Sequence, residues 1–376
     1  MKKALINGKI ILENEIIENK VLIFDEKILS LDSAPALDSE VIDAKGLYIA
    51  PGLIDIHIHG YYGTDVMDAT PHSLENMSIN LVKNGVTGFL PTTMTMAKKN
   101  IVQALENIKN ASVTGARILG VHVEGPFINE KYKGAQSARH IIPPDFDLIE
   151  PYKDIIRLVT YAPELDTDYI FTKNAVNAGI NLSVGHTGAD YRDMEQAYNT
   201  GARNVTHTFN AMSPLNHREP GAVGGALLLP FYCELIADNI HVNPVLYQFL
   251  LDNKGDKLIL ITDCISGGGM EEGQYELGGH EVIIKDGACR LADGTLAGSI
   301  LTLNKALRNF KSDTNISLCE VFALASANPA KSINIYNETG GITPGKWADI
   351  ALFDENFNCY ATFIKGKRVY ENLALF

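Results

Sequence analysis

The sequence predicts an α/β fold: a (β/α)8 TIM-type barrel with a small β-sandwich domain built from both termini. Three observations predict it. Between residues 51 and 345, apolar runs of strand length alternate with helix-period segments, and the strand candidates number eight. Residues 1–50 carry short alternating strand signals and no helix-period run. Signals of the same kind return after residue 346. A dinucleotide-binding sheet is the alternative, but no Gly-rich phosphate fingerprint follows the first strand.

Taken in order, segment 3–12 turns at Asn7-Gly8, segment 20–31 alternates around Asp25-Glu26, and segment 40–49 breaks at Lys45-Gly46. So small a β unit buries little alone. Its expected partner is the C-terminus, where 348–353 and 360–370 are strand-like with a turn at Gly366-Lys367. Residues 1–50 and 346–376 therefore read as one small β domain, with the barrel, 51–345, inserted between them. The barrel strands are expected at 53–57, 86–91, 118–124, 156–162, 180–186, 204–207, 234–237 and 258–263. Helices are expected at 71–83, 97–109, 167–178, 190–199 and 244–251. After the eighth strand, Gly267-Gly268-Gly269 and the strand-like segments 281–285 and 288–291 make an excursion before a helix at 299–310.

A chain of 376 residues holds one large domain and a small one. Its formal net charge of -13 argues against nucleic acid or an anionic membrane surface as a partner. A small anionic substrate stays open, since it needs only a few local cations. Cys233, Cys264, Cys289, Cys319 and Cys359 are scattered, odd in number and free of a Cys-x-x-Cys pair, which fits a reducing compartment. Asn7, Gly8 and Lys9 interrupt the first apolar run, so neither a signal peptide nor a spanning helix is read, and a cytoplasmic location is expected.

The chemistry starts at Asp55-Ile56-His57-Ile58-His59-Gly60. Residues two apart in a strand share a face, so His57 and His59 project together just before a turn. In isolation such a pair is ordinary. In barrels of this kind, however, reactive groups sit at the C-terminal ends of strands. Those ends supply His57 and His59 (first strand), Glu124 (third), His186 (fifth), His207 (sixth) and Asp263 (eighth). Metal-capable side chains at five strand ends point to one metal centre.

The chain resembles the N-acetylglucosamine-6-phosphate deacetylases of the amidohydrolase superfamily. The resemblance rests on Pro51-Gly52-Leu53-Ile54-Asp55, His122-Val123-Glu124-Gly125-Pro126-Phe127, Lys133-Gly134-Ala135, Gly185-His186-Thr187, Thr206-His207-Thr208-Phe209-Asn210-Ala211-Met212, Ala237-Asp238-Asn239-Ile240-His241-Val242, Thr262-Asp263 and Gly298-Ser299. It implies that Glu124, His186 and His207 hold one divalent metal, zinc or iron, and that His57 and His59 could hold a second, with Glu124 bridging. It implies Asp263 as the proton-transferring catalytic residue. It also implies a sugar-phosphate substrate, bound by Asn210, Ala211, His241 and an Arg218 that reaches in from the neighbouring subunit of a homodimer. One departure stands out. The family commonly has His after Lys-Gly-Ala, where this chain has Gln136, which can donate a hydrogen bond to a substrate carbonyl but never as a cation. Two alternatives remain: a deacetylase for a related substrate such as the galacto epimer, and a non-catalytic barrel of structural use. A cyclic-amide hydrolase is disfavoured, because no Lys ends the fourth strand.

Overall fold

The computed structural model describes residues 1–35, 37–277 and 279–372. Eight parallel strands form the barrel: Leu53–Ile58, Val86–Thr93, Val121–Glu124, Ile156–Tyr161, Asn181–Val184, Asn204–Val205, Tyr232–Ile236 and Leu258–Ile261, called strands 1 to 8 below. Every residue of strand 1 is buried. That is the rule for a parallel strand filled by side chains on one face and covered by helices on the other. Each strand pairs with the next, with Thr92 opposite His122, Glu124 opposite Thr160, Val184 opposite Val205 and Ile236 opposite Ile261.

Asp55 closes the seam between strands 8 and 1. The two meet as an isolated bridge, Ile58 to Cys264, and the Asp263 N–H donates to the His57 carbonyl at 2.9 Å. Lower down, the Asp55 carboxylate substitutes for backbone. It accepts the Thr262 hydroxyl at 2.6 Å and the Thr262 N–H at 3.3 Å. Burial pushes this carboxyl up to about 6. Asp55 is thus committed to the seam and not to the cluster above it.

Strands 5 and 6 are shorter than the sequence suggests. They stop at Val184 and Val205, because His186 (φ 48°) and His207 (φ 29°) take left-handed backbone that cannot continue a ladder. Strand 8 stops at Ile261, before Asp263 at φ 49°. Five of the expected helices form, as Pro71–Leu81, Lys98–Lys109, Ile170–Asn177, Tyr191–Thr200 and Tyr247–Lys254. The helix expected at 299–310 starts only at Leu303. Ser299 is extended there, bridging Cys264 and donating its N–H to the Asp263 carbonyl at 2.7 Å. A further helix, Gly221–Leu228, was not foreseen. It is apolar and glycine-rich all round, and so carries no amphipathic period.

After strand 8 the chain makes a three-stranded antiparallel sheet, Gly273–Leu277, His280–Lys285 and Ala288–Arg290. Ile265, Leu277, Val282, Ile284, Cys289 and Ala297 pack with Met94 into a small core of its own. The sheet therefore sits over the barrel mouth as a fixed piece.

The terminal strands make two further sheets. In one, Lys3–Ile6 lies between Val21–Phe24 and Glu40–Asp43. In the other, Tyr48–Pro51 joins Lys9–Ile11 to the C-terminal strands Ile350–Phe353, Cys359–Ile364 and Lys367–Glu371. Asn7, at φ 55°, marks the switch of the chain from one sheet to the other. Leu5, Phe24, Ile49, Leu352 and Phe363 fill the space between them in a cluster separate from the barrel core. Among the described residues, no helix is long and apolar enough to cross a membrane.

Candidate active site

Six side chains meet above the strand ends. Glu124 is central. Its Oε1 lies 3.1 Å from His186 Nε2, 3.2 Å from His207 Nε2 and 3.4 Å from His57 Nε2. Its Oε2 lies 3.2 Å from His59 Nε2. The Asp263 carboxylate sits at 3.2 Å from His59 Nε2 and 3.4 Å from His57 Nε2. All six residues are buried. Left-handed backbone at His186, His207 and Asp263 turns these side chains out of their strands. Such conformations cost about 1–3 kcal/mol each and persist where the surroundings impose them.

The donor chemistry of this set calls for a cation. His186 Nδ1 donates to the Tyr132 carbonyl at 2.9 Å, His59 Nδ1 to the Thr92 carbonyl at 3.2 Å, and His57 Nδ1 to the Glu234 carboxylate at 3.0 Å. Those oxygens only accept, so each of these three Nδ1 atoms carries a proton, and Nε2 is the atom left to face a cation. His57 Nε2 and His59 Nε2 are 3.3 Å apart, and His186 Nε2 and His207 Nε2 are 3.1 Å apart. Burial opposes charge on these rings, but the carboxylates of Glu124 and Asp263 raise the pKa of His57 to about 9 and that of His59 well above the usual value, so the cluster demands positive charge at its centre, from protons or from a metal that replaces them. A tetrahedral metal with ligands at about 2.0–2.1 Å has ligand–ligand edges of about 3.3 Å, close to these separations. Two sets match it: Glu124, His186 and His207, and His57, His59 and Asp263.

Electrostatics agree. Burial opposes charge on Glu124, but the imidazoles of His57 and His186 hold its carboxyl well below the usual range. Burial likewise opposes charge on Asp263, and His57 and His59 bring its carboxyl down to about 2. Both are carboxylates at neutral pH.

Two further groups steady the cluster. Glu234, mid-strand in Tyr232–Ile236 and fully buried, fixes the His57 tautomer. Sequence reasoning missed it. Its signal was a single carboxylate inside an apolar barrel strand, a group that must find a partner when buried. Glu234→Gln is expected to loosen metal on the His57 and His59 side by about 10–100-fold. Metal retained per chain against graded chelator checks this, and wild-type retention would contradict it. Gln136 is the second group. Its Nε2 donates to Glu124 Oε2 at 2.6 Å, and its carbonyl accepts the Thr95 N–H at 2.7 Å. Its carboxamide is thus largely engaged with the protein itself.

His122 is not part of the cluster. Its Nδ1 faces the Ile56 carbonyl and its Nε2 the Thr160 hydroxyl, so both nitrogens are used inside the barrel.

A cavity of about 430 Å³ opens above the cluster. His59, Glu124, His186, His207 and Asp263 line its floor, and Gln136, Asn210, Ala211, His241 and Arg290 line it as well. His241 Nδ1 donates to Asp238 at 2.7 Å. Burial disfavours charge on this imidazole, but Asp238 outweighs it and raises the pKa above the usual value. Arg218 is elsewhere. It is exposed and lines a separate groove with Asp190, Ser213 and Asn216, so the fold does not bring it to the cavity of its own chain.

Comparison with known proteins places the arrangement. Residues 48–369 match the model of the amidohydrolase family. An N-acetylglucosamine-6-phosphate deacetylase of Bacillus subtilis (strain 168) is 39% identical, over 95% of this chain and 94% of that one. An N-acetylgalactosamine-6-phosphate deacetylase of Escherichia coli O157:H7 is 31% identical, over 93% of this chain and 94% of that one. A solved structure of a mutant N-acetyl-D-glucosamine-6-phosphate deacetylase from Mycobacterium smegmatis, in complex with N-acetyl-D-glucosamine-6-phosphate, superposes with a TM-score of 0.91 at 26% identity, covering 98% of this chain and 99% of that one.

Proposed function

The chain belongs to the amidohydrolase family, among the N-acetylglucosamine-6-phosphate deacetylases, and from that premise we propose how its residues divide the reaction. The reaction is hydrolysis of the acetamide of N-acetylglucosamine-6-phosphate to glucosamine-6-phosphate and acetate. The observation that carries this reading is the convergence of the Nε2 atoms of His57, His59, His186 and His207 on the Glu124 carboxylate, at the floor of a cavity whose wall holds His241.

Glu124, His186 and His207 are assigned to one divalent metal, zinc or iron, and His57 and His59 to a second, with Glu124 between them. A divalent metal held there supplies a Lewis acid for the acetamide oxygen and lowers the pKa of water from about 15.7 toward about 7. Asp263, ionised and 3.2 Å from His59, takes a proton from the attacking water. It then gives the proton to the departing nitrogen, since an amine cannot leave as an anion. Gln136 keeps one N–H for the acetyl carbonyl, after spending the other on Glu124.

The phosphate is assigned to the opposite end, to Asn210, Ala211 and His241. Arg218 joins it only from a second copy of the chain, so a homodimer is part of this reading. The division into a small β domain, 1–50 with 346–376, and a catalytic barrel, 51–345, is also part of it. So is a cytoplasmic location, which five free, buried cysteines support.

The assignment of His241 has a pH signature. A raised pKa keeps the ring cationic below that value, and the charge is lost as pH rises through it. KM for the phosphorylated substrate is therefore expected to climb on the alkaline side. Asp238→Asn should start that climb at a lower pH, and KM profiles of both proteins check it. The reading as a whole is tested by acetate release from N-acetylglucosamine-6-phosphate, its unphosphorylated form and its galacto epimer. Preference for the phosphorylated gluco sugar supports it. Preference for the epimer moves the chain to the related substrate, and no turnover of any of the three refutes a catalytic role for the cluster.

A further inference from the structure

We propose that Arg290, on the antiparallel sheet above the barrel mouth, is a phosphate-recognising residue that each chain supplies to its own cavity and that sets the preference for phosphorylated substrates. The proposal deepens the reading above and rests on it.

The cavity has two ends. In the reading above its floor of metal ligands takes the acetamide, so the phosphate, at the other end of the sugar, lies toward the wall. Among the described residues lining that wall, Arg290 is the one whose positive charge is independent of pH. His241 lines the same cavity, and the charge of Arg290 reaches its ring, where it opposes protonation. Two cationic groups that face each other unfavourably are reconciled by an anion between them.

The guanidinium is also held in readiness. Cys289, next to it, is buried in the small core with Ile265, Val282 and Ile284, which fixes the strand. Arg290 pairs with Ile283 across the sheet, and its Nη1 donates to the Gly294 carbonyl at 2.8 Å. One of five N–H donors is thereby used, and among the described residues the others are unbonded and available to an oxyanion. No carboxylate pairs with it among the described residues, although the chain carries a formal net charge of -13. An arginine without a carboxylate in so acidic a protein, at the mouth of a cavity, is well placed to draw in a phosphate.

The test uses full-length, metal-replete protein with Arg290→Ala and Arg290→Lys. Arg290 is exposed, so neither change disturbs a core. In Arg290→Ala, the kcat/KM preference for N-acetylglucosamine-6-phosphate over N-acetylglucosamine is expected to fall at least about tenfold, mainly through KM, as loss of a charge-assisted bond implies. Inhibition by inorganic phosphate should weaken in parallel, and Lys should restore part of both, keeping the charge without the fork. An Arg290→Ala protein with unchanged preference and unchanged phosphate inhibition overturns the proposal and makes Arg290 a solvated charge. A wild-type protein that turns over neither sugar sinks the functional reading instead. Phosphate binding to wild type and Arg290→Ala, measured by calorimetry, then still decides for or against Arg290.

Discussion

Asp263→Asn is expected to lower acetate release from N-acetylglucosamine-6-phosphate by about 10²–10⁴-fold while leaving in place the fold and the metal assigned to Glu124, His186 and His207. Asn keeps the size of Asp and one oxygen toward His57 and His59, but it cannot carry the proton from water to the amine. The backbone here is tied independently of the side chain. The Asp263 N–H bonds the His57 carbonyl at 2.9 Å, and its carbonyl accepts the Ser299 N–H at 2.7 Å. The loss should therefore fall on kcat, with KM little changed, which marks an interaction made in the transition state. Activity within tenfold of wild type would contradict the assignment.

Glu124→Gln is expected to remove metal and to lower turnover by at least about 10³-fold, since hydroxide would no longer be available at neutral pH. Glu124 is the one residue that touches all four imidazoles of the cluster. Gln offers one neutral oxygen, and its NH2 group has neither the charge nor the lone pair that a metal ligand needs. Metal analysis after gel filtration and circular dichroism of the same sample separate loss of metal from loss of fold. A folded variant with wild-type metal content would contradict the role given to Glu124.

Much of this was legible in the sequence, for identifiable reasons. Apolar runs gave the eight strands, and reading their ends alone gave His57, His59, Glu124, His186, His207 and Asp263, which the fold brings within hydrogen-bond distances of one another. That worked because the parallel barrel sends every strand end to one face. What sequence did not show were relations made by tertiary structure. The left-handed turns at His186, His207 and Asp263 have only a weak local signal, since His and Asp adopt that backbone more often than most residues but still seldom, and here the site imposes it. Helix Gly221–Leu228 lacked a period because it is buried from Gly221 to Leu227. The strand Gly273–Leu277, with Gln274 and Glu276 exposed, was too polar to stand out. The bonds of Gln136 to Thr95 and Glu124 join the loop after strand 3 to the end of strand 2 and to its own strand, contacts no spacing rule reports. Glu234 and Arg290 were single charges in strand-like segments, and only the fold reveals what each one faces.

The most direct test of the central claim is metal removal and restoration. Protein stripped by chelator should lose acetate release, and zinc or ferrous iron added back should restore it in proportion to metal bound per chain. His186→Asn should resist restoration at the same metal concentration. Full activity in protein shown by elemental analysis to hold no divalent metal would contradict the account.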